Sequence, residues 1–301
     1  MITRMMMSSG IPRRPNMATH SITAALALMA LLAGGASAQF TSSTTVVEVY
    51  ATVTHASGRP VRGLTQADFE VVEDGAPQTV TNFAAGDFPL HVALTIDRSF
   101  SVAGPPLEAT KRAVRGFLSA LRPTDESVIL GIGSDVTVVA DAAVPRAQQA
   151  VAVQALDAWG TTKLHDAIIQ AIDATDVGRG RRAVIILSDG DDRYSEAPAG
   201  AVLTRARRAN ALIYPVALSK TRPALFAELS SVTGGRSFHV GDLNKLDATL
   251  ATIASELREQ YLLGYSPSRP FVAGRDEWRS IIVRVRKPNL TVRARDGYYV
   301  K

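Results

Sequence analysis

Three side chains that could bind a cation follow directly on an apolar run of the sequence. The run Leu90–Ile96 carries no charged side chain, which is typical of a strand buried on both faces of a parallel sheet. Asp97, Ser99 and Ser101 follow it at alternating positions. Open α/β sheets bind ligands beyond the carboxyl ends of their strands, and a carboxylate with two hydroxyls suits a hard divalent cation. Asp and Ser also cap helices, so this run taken alone favours a cation site and a capping loop equally.

Two later segments place hydroxyls and carboxylates at comparable positions. A Gly-Thr-Thr sequence at 160–162 precedes a helical pattern, and Ser-Asp-Gly at 188–190 ends a second uncharged, β-branched strand over 183–187. In type and order, the three segments resemble the von Willebrand factor type A domain with its metal-ion-dependent adhesion site. The resemblance covers about residues 89–259. The flanking patterns VxGLTxxDFxVxEDGxPQxVxxF and YLLGYSP resemble secreted bacterial proteins that carry a related domain.

The resemblance implies a ligand set for one divalent cation, which is Mg²⁺ or alternatively Mn²⁺ or Ca²⁺. The two serines would coordinate it through their hydroxyls, and two carboxylates would act directly or through bound water. Thr162 would be the ligand that switches with state. It is aligned in preference to Thr161 because the family pattern is G-G-T-x-L-x-D, in which Thr161 occupies the usual place of a second glycine. The expected metal-binding residues are Asp97, Ser99, Ser101, Thr162 and Asp189.

The chemistry of such a shell points to binding rather than to catalysis. An oxygen shell that is short of negative charge leaves the cation electrophilic, so it can take a carboxylate of another protein as its last ligand. We therefore expect a metal-dependent protein-binding module of the adhesion type, whose partner is a protein with an exposed Asp or Glu. The alternative is a scaffold or assembly factor of the cell envelope in which the metal only stabilises the loops. A hydrolase triad of Ser99, His165 and Asp189 is disfavoured because no G-x-S-x-G elbow surrounds the serine, and we expect no enzyme.

Four further polar residues near these loops have simpler interpretations. His165 is expected outside the coordination sphere or on the surface, because oxygen-selective sites rarely take imidazole. Asp166 is interpreted as a charge at a helix N-terminus or as a hydrogen-bond partner. Asp191 and Asp192 favour a solvated loop over a second cation site.

Strands alternate with helical patterns around these loops, which predicts an α/β fold with a doubly wound, mainly parallel sheet. The resemblance implies that this sheet is of the von Willebrand factor A, Rossmann-like type. Among the helices we predict 107–121, 145–158 and 164–175. The apolar content of 46% against 20% charged residues is enough for a packed core of this kind.

Two segments rich in strand patterns flank the predicted α/β domain at 89–259. Residues 46–88 and 260–301 each supply about three or four strands, whereas a stable sandwich needs about seven. We therefore expect the two segments to pair into one β-sandwich with the α/β domain inserted between them. Two independent small β units are the alternative.

The first residues have the organisation of a secretory signal peptide. Residues 1–38 contain three arginines and no acid, then an apolar stretch at 22–32 that is too short to span a bilayer, and the small residues Ala36-Ser37-Ala38. Cleavage after Ala38 is expected, with an uncleaved anchor as the alternative, and 39–45 is interpreted as a polar linker. The mature protein would be exported to the periplasm or the medium, with no membrane span after signal cleavage.

Composition limits the remaining function classes. The net charge of +5 includes the three arginines of the leader, so the mature chain is close to neutral and we expect no nucleic-acid partner. The chain has no cysteine, which excludes disulfides and thiol catalysis.

Overall fold

The computed structural model describes residues 46–86, 88–178, 180–219, 221–272 and 274–300. They belong to one compact unit. The predicted signal peptide at 1–38 and the linker at 39–45 lie outside the described residues. In the described part, no helix has the length and apolar character that a membrane crossing requires.

The described elements are numbered in chain order. The strands are β1 (Val47–His55), β2 (Phe69–Glu73), β3 (Ala76–Gln78), β4 (Val80–Ala85), β5 (Leu90–Asp97), β6 (Glu126–Ile132), β7 (Val136–Ala140), β8 (Arg181–Ser188), β9 (Leu212–Ala217), β10 (Phe238–His239), β11 (Tyr261–Tyr265), β12 (Glu277–Val285), β13 (Leu290–Arg293) and β14 (Gly297–Val300). The helices are α1 (Pro105–Ala120), α2 (Arg146–Gln154), α3 (Leu164–Asp176), α4 (Ala199–Arg208), α5 (Ala224–Thr233) and α6 (Leu246–Arg258).

A six-stranded sheet forms the centre of the α/β part. Its order is β10-β9-β8-β5-β6-β7, and every neighbouring pair is parallel except β6 and β7. The two uncharged runs of the sequence, 90–96 and 183–187, lie in β5 and β8, which are side by side with Ile96 opposite Leu187. Their carboxyl ends therefore meet at one edge of the sheet, which is where an open α/β sheet binds ligands.

Helices cover both faces of this sheet, so the strands are buried on two sides. Along β5, Val92, Leu94 and Ile96 pack in the core formed with α1 and α6. Ala93 points to the opposite core, formed with α3, α4 and α5. Because successive side chains point to opposite faces and both faces are buried, the strand sequence does not alternate between apolar and exposed polar residues.

Helix α2 is shorter than the sequence predicts. The helical pattern extends over 145–158, but α2 ends at Gln154. The chain then runs to Trp159, whose N–H donates to the carbonyl oxygen of Arg98 at 2.6 Å. This tertiary hydrogen bond requires the chain to leave the helical path, so the prediction was wrong at this end.

The flanking β-rich segments form two four-stranded sheets, β13-β1-β11-β4 and β14-β12-β2-β3. Both sheets combine strands from before and after the α/β part, because β1 pairs with β11 and β2 pairs with β12. Asp74 and Gly75 have φ values of 47° and 83° and join β2 to β3, as their Asp-Gly sequence predicts for a hairpin. The exact division of the chain at 88 and 259 stays a prediction.

A buried ionic cluster lies between the two sheets of this sandwich. Glu73 accepts hydrogen bonds from the hydroxyls of Tyr265 at 2.7 Å and Tyr298 at 2.8 Å, and from Nη1 of Arg279 at 3.1 Å. Arg279 is fully buried, and Glu73 is 2% exposed. The four residues come from four different strands of both sheets, so the cluster ties the sheets together through polar contacts.

Candidate metal centre

Asp97 is the last residue of β5 and is fully buried. Its Oδ1 accepts the backbone N–H of Ser99 at 2.9 Å, and its Oδ2 accepts the hydroxyl of Ser188 at 2.6 Å. Ser188 ends β8, the parallel neighbour of β5. The carboxylate is therefore held between the carboxyl ends of two adjacent strands, in the position expected for a ligand site of this fold.

A chain of hydrogen bonds continues from the first loop to the loop after β8. Ser99 Oγ lies 3.0 Å from Ser101 Oγ, and Ser101 Oγ donates to Asp189 Oδ2 at 2.6 Å. Because Ser101 uses its hydrogen on Asp189, Ser99 is the donor to Ser101. The structure thus brings four of the five expected metal-binding residues into one cluster, since Asp97 accepts the N–H of Ser99.

Thr162 lies on a third loop that is bonded to both of the others through the backbone. Phe100 N–H donates to Gly160 O at 3.0 Å, and Arg193 N–H donates to Thr162 O at 2.7 Å. Thr162 is buried, with 2% exposure. No hydrogen bond in the described structure joins its hydroxyl to the other four side chains, so the structure places the residue beside the cluster without connecting its side chain to it.

The left-handed backbone position in this loop is occupied by glycine. Gly160 has φ of +77°, while Thr161 is not among the described residues with positive φ. Thr161 instead bonds to Ser134, which accepts its N–H at 3.1 Å. The loop therefore tolerates threonine where the family pattern has a second glycine, because only Gly160 must adopt the conformation that an L side chain disfavours.

Gly160→Ala is expected to destabilise the chain more than the same change at Gly63. Both glycines have a left-handed φ, which costs a side chain about 1–2 kcal/mol. At Gly160 a Cβ would also lie 2.6 Å from the backbone N of Ser134, whereas at Gly63 nothing lies within 4 Å. Urea unfolding of the two variants measures the difference in unfolding free energy. Equal losses would show that the loop relaxes freely away from Ser134.

Burial and a neighbouring acid both act on the Asp97 carboxylate. Burial raises its pKa above the ordinary value, the hydrogen bonds from Ser188 and Ser99 offset part of that effect, and Asp189 raises it further. Removing a carboxylate from water disfavours its charged form, and a nearby cation would restore it. When the two carboxylates are ionised, the site therefore lacks a positive charge that would balance them.

The donor set fits a divalent cation that prefers oxygen. It consists of two carboxylates and three hydroxyls, without nitrogen or sulfur, which suits Mg²⁺, Mn²⁺ or Ca²⁺. The described residues contain no group of three or more His, Cys, Asp and Glu side chains that could hold a metal. A cation at this edge of the sheet would therefore depend on the serine and threonine hydroxyls.

Ser188 contacts the candidate site, although the sequence interpretation assigned it no role. Its hydroxyl donates to Asp97 and accepts the N–H of Gly190 at 3.0 Å. It orients the Asp97 carboxylate and the start of the loop after β8 together. The Ser-Asp-Gly sequence already placed a hydroxyl at the end of a strand. Only the pairing of β5 with β8 shows which carboxylate this hydroxyl reaches.

The polar residues after Asp189 hold a loop against the start of α3. Asp192 Oδ1 accepts the N–H of His165 at 3.1 Å and the hydroxyl of Ser195, so Asp192 is not the solvated residue that the sequence favoured. Asp166 accepts two backbone N–H groups of the same loop, at 196 and 197. Asp192 caps α3, because the free N–H groups of a helix N-terminus attract a carboxylate. Asp166 anchors the loop by accepting its backbone N–H groups.

His165 is directed away from the serine hydroxyls by its own hydrogen bond. Its Nδ1 lies 2.9 Å from the carbonyl oxygen of Ala197. Within the described residues no hydrogen bond joins His165 to Ser99, whose hydroxyl is bonded to Ser101. The arrangement lacks the serine–histidine contact on which a hydrolase triad depends.

The sheet order and the oxygen-rich loops at its carboxyl edge define an α/β protein of the doubly wound class. The sequence model of the von Willebrand factor type A domain matches residues 91–252. The match covers more than half of the chain, and the chain belongs to this family. The predicted fold class and the resemblance noted in the sequence are both confirmed. Domains of this family typically serve protein interaction or adhesion rather than catalysis. The general class of this chain is therefore a protein-interaction or adhesion-type module.

The chain is similar to several solved structures at low sequence identity. A von Willebrand factor type A protein from Catenulispora acidiphila has a TM-score of 0.51 at 14% identity, over 75% of this chain and 71% of that one. Proximal thread matrix protein 1 from the mussel byssus has a TM-score of 0.46 at 11% identity, over 57% and 49%. An aerotolerance-related membrane protein from Bacteroides fragilis has a TM-score of 0.44 at 16% identity, over 56% and 98%. No curated protein sequence matches the chain.

Proposed function

We propose that the chain is an exported protein-binding module that depends on a divalent cation and recognises an acidic residue of its partner. The residues that would hold the cation are Asp97, Ser99, Ser101, Thr162 and Asp189. The observation that carries the proposal is the continuous set of hydrogen bonds that links four of them at the carboxyl edge of the sheet.

The chain's own residues prepare the site in three ways. Ser188 and the N–H of Ser99 fix the orientation of the Asp97 carboxylate. The N–H of Asp191 fixes the orientation of the Asp189 carboxylate, which accepts it at 3.1 Å. Two carboxylates against three hydroxyls keep the negative charge of the set low. A bound cation would supply an electrophilic position for a carboxylate of another protein.

Export rests on the leader-like sequence at 1–38, with its arginines, its short apolar stretch and its small-residue cleavage site. We place the mature chain in the periplasm or outside the cell. An adhesion-type module is of use there because its partners are other exported or surface proteins.

The test is co-purification of partners by the mature chain with Mg²⁺ and with EDTA. Asp97→Ala is expected to behave in Mg²⁺ as the wild type behaves in EDTA, and the partner is expected to be lost in both. Glu228→Ala is the control for loss of an exposed carboxylate, because Glu228 lies on α5, outside the three loops. Partner binding that survives chelation would contradict the proposal and favour a scaffold whose metal only stabilises the loops.

A further inference from the structure

The loops of the candidate metal centre carry exposed aromatic side chains. Phe100 is 68% exposed, Trp159 is 45% exposed and Tyr194 is 76% exposed. Within the described residues, these three are the aromatic side chains of the exposed class, and each belongs to a different one of the three loops. We call this set the aromatic rim. Aromatic residues are enriched as anchors in protein interfaces, so their confinement to this one edge of the fold marks an interaction surface.

The backbone brings the members of the aromatic rim together around the expected ligands. Phe100 lies between Ser99 and Ser101, and its N–H donates to Gly160, the residue after Trp159. Tyr194 follows Arg193, whose N–H donates to Thr162. Phe100 is therefore next to two candidate ligands, Tyr194 is next to a residue bonded to one, and Trp159 is next to a residue bonded to Phe100.

Trp159 is held in place before any partner arrives. The guanidinium carbon of Arg98 lies 5.8 Å from the centre of its ring. On another side the ring packs against Gly133, where an added Cβ would come within 2.9 Å of the ring carbon Cε3. A ring fixed in this way loses little conformational freedom on binding, which makes it an efficient anchor.

Charged and hydroxyl-bearing side chains are interspersed with the rings. Ser101 is exposed, and the side chains of Asp191 and Arg193 are 69% and 66% exposed. Inserting these groups into a hydrocarbon layer would remove the water that solvates them, which is costly above all for the charged Asp191 and Arg193. A protein partner can satisfy them, because protein interfaces combine aromatic anchors with polar groups. The composition therefore favours a protein over a lipid surface.

We propose that the aromatic rim binds large apolar side chains next to the partner's acidic residue, so that the partner motif is an Asp or Glu between apolar residues. The acidic part of this motif rests on the proposed function, while the apolar part rests on the aromatic rim alone. Phe100 and Tyr194 are specificity-determining residues in this proposal, and Trp159, which contacts Arg98 and Gly133, is the third anchor.

Two synthetic peptide pools test the motif. Both carry a central Asp, flanked by Leu, Ile and Phe in the first pool and by Ser, Gly and Gln in the second. In Mg²⁺, the wild type is expected to bind the first pool roughly tenfold or more tightly than the second. Phe100→Ser and Tyr194→Ser are expected to lose this preference while keeping their affinity for Mg²⁺ measured without peptide. Val177→Ser and Ile282→Ser remove exposed apolar side chains elsewhere and are expected to keep it.

Each other outcome has a defined meaning. Equal binding of the pools, or a preference that survives both rim variants, overturns the apolar motif. If the wild type does not bind Mg²⁺, the proposed function is contradicted. The comparison of the two pools then still tests whether the aromatic rim binds apolar side chains. Sedimentation with vesicles of phosphatidylcholine and phosphatidylglycerol that is lost in Tyr194→Ser would assign the aromatic rim to a membrane. Self-association lost in the same variant would assign it to a second copy of the chain. Either result overturns the proposal.

Discussion

Asp97→Asn is expected to weaken Mg²⁺ binding by at least about 100-fold while the mature chain stays folded. Loss of a group that only orients a ligand already lowers metal affinity by about 10–100-fold, and here a charged oxygen of the set itself is removed. Isothermal titration with MgCl₂ measures the affinity. At a Mg²⁺ concentration of about 100 times Kd, a bound cation stabilises the wild type by about 2.7 kcal/mol, and the variant is expected to lack this gain in thermal unfolding.

The same variant is expected to be no less stable than the wild type in the absence of cation. Burial raises the pKa of Asp97, and the charge of Asp189 adds to the effect, so a neutral side chain of the same shape relieves both. Asp191→Asn is the matched control and is expected to keep its Mg²⁺ affinity within a few-fold, since Asp191 is exposed. Wild-type Mg²⁺ affinity in Asp97→Asn would remove Asp97 from the metal centre.

Arg279→Met is expected to lower the free energy of unfolding by about 3–5 kcal/mol, because it leaves a buried charge without its partner. Glu73 would then be held only by the hydroxyls of Tyr265 and Tyr298. Two backbone carbonyls, at 269 and 270, would also lose the guanidinium that donates to them. Urea unfolding measures the loss.

Arg284→Met is the matched control on the same strand, β12. Its ion pair with Glu70 is 3.4 Å long and largely exposed, and such pairs contribute about 0–1 kcal/mol. The double variant Glu73→Gln/Arg279→Met is expected to recover part of the loss, because it removes both buried charges. If Arg279→Met lowers the free energy of unfolding no more than Arg284→Met does, the buried cluster does not stabilise the sandwich.

Much of the candidate site could be predicted from strand patterns alone. Asp97 and Asp189 each follow an uncharged run, and parallel strands end at a common edge, so the two carboxylates were expected to converge. The structure joins them through Ser101, which donates to Asp189, and through Ser99. That these oxygens share one cation stays a prediction.

Other features could not be predicted because they depend on contacts between residues far apart in sequence. The end of α2 is set by the hydrogen bond from Trp159 to Arg98, and a helical pattern contains no information about that partner. The role of Asp192 depends on the loop folding back onto the N-terminus of α3, where the N–H of His165 donates a hydrogen bond to Asp192. Local composition favoured a solvated loop at this place, and the tertiary contact overrode it.

The sequence by itself determined the class of fold, because hydrophobic period and turn residues are local properties that act before any long-range contact forms. It also determined which side chains could bind a cation, since ligand chemistry belongs to residue type. Only the tertiary structure decided that β5 lies beside β8, that Ser188 reaches Asp97, and that the aromatic rings on the three loops are exposed. Those outcomes depend on strand order and on hydrogen bonds across many residues, which no local pattern encodes.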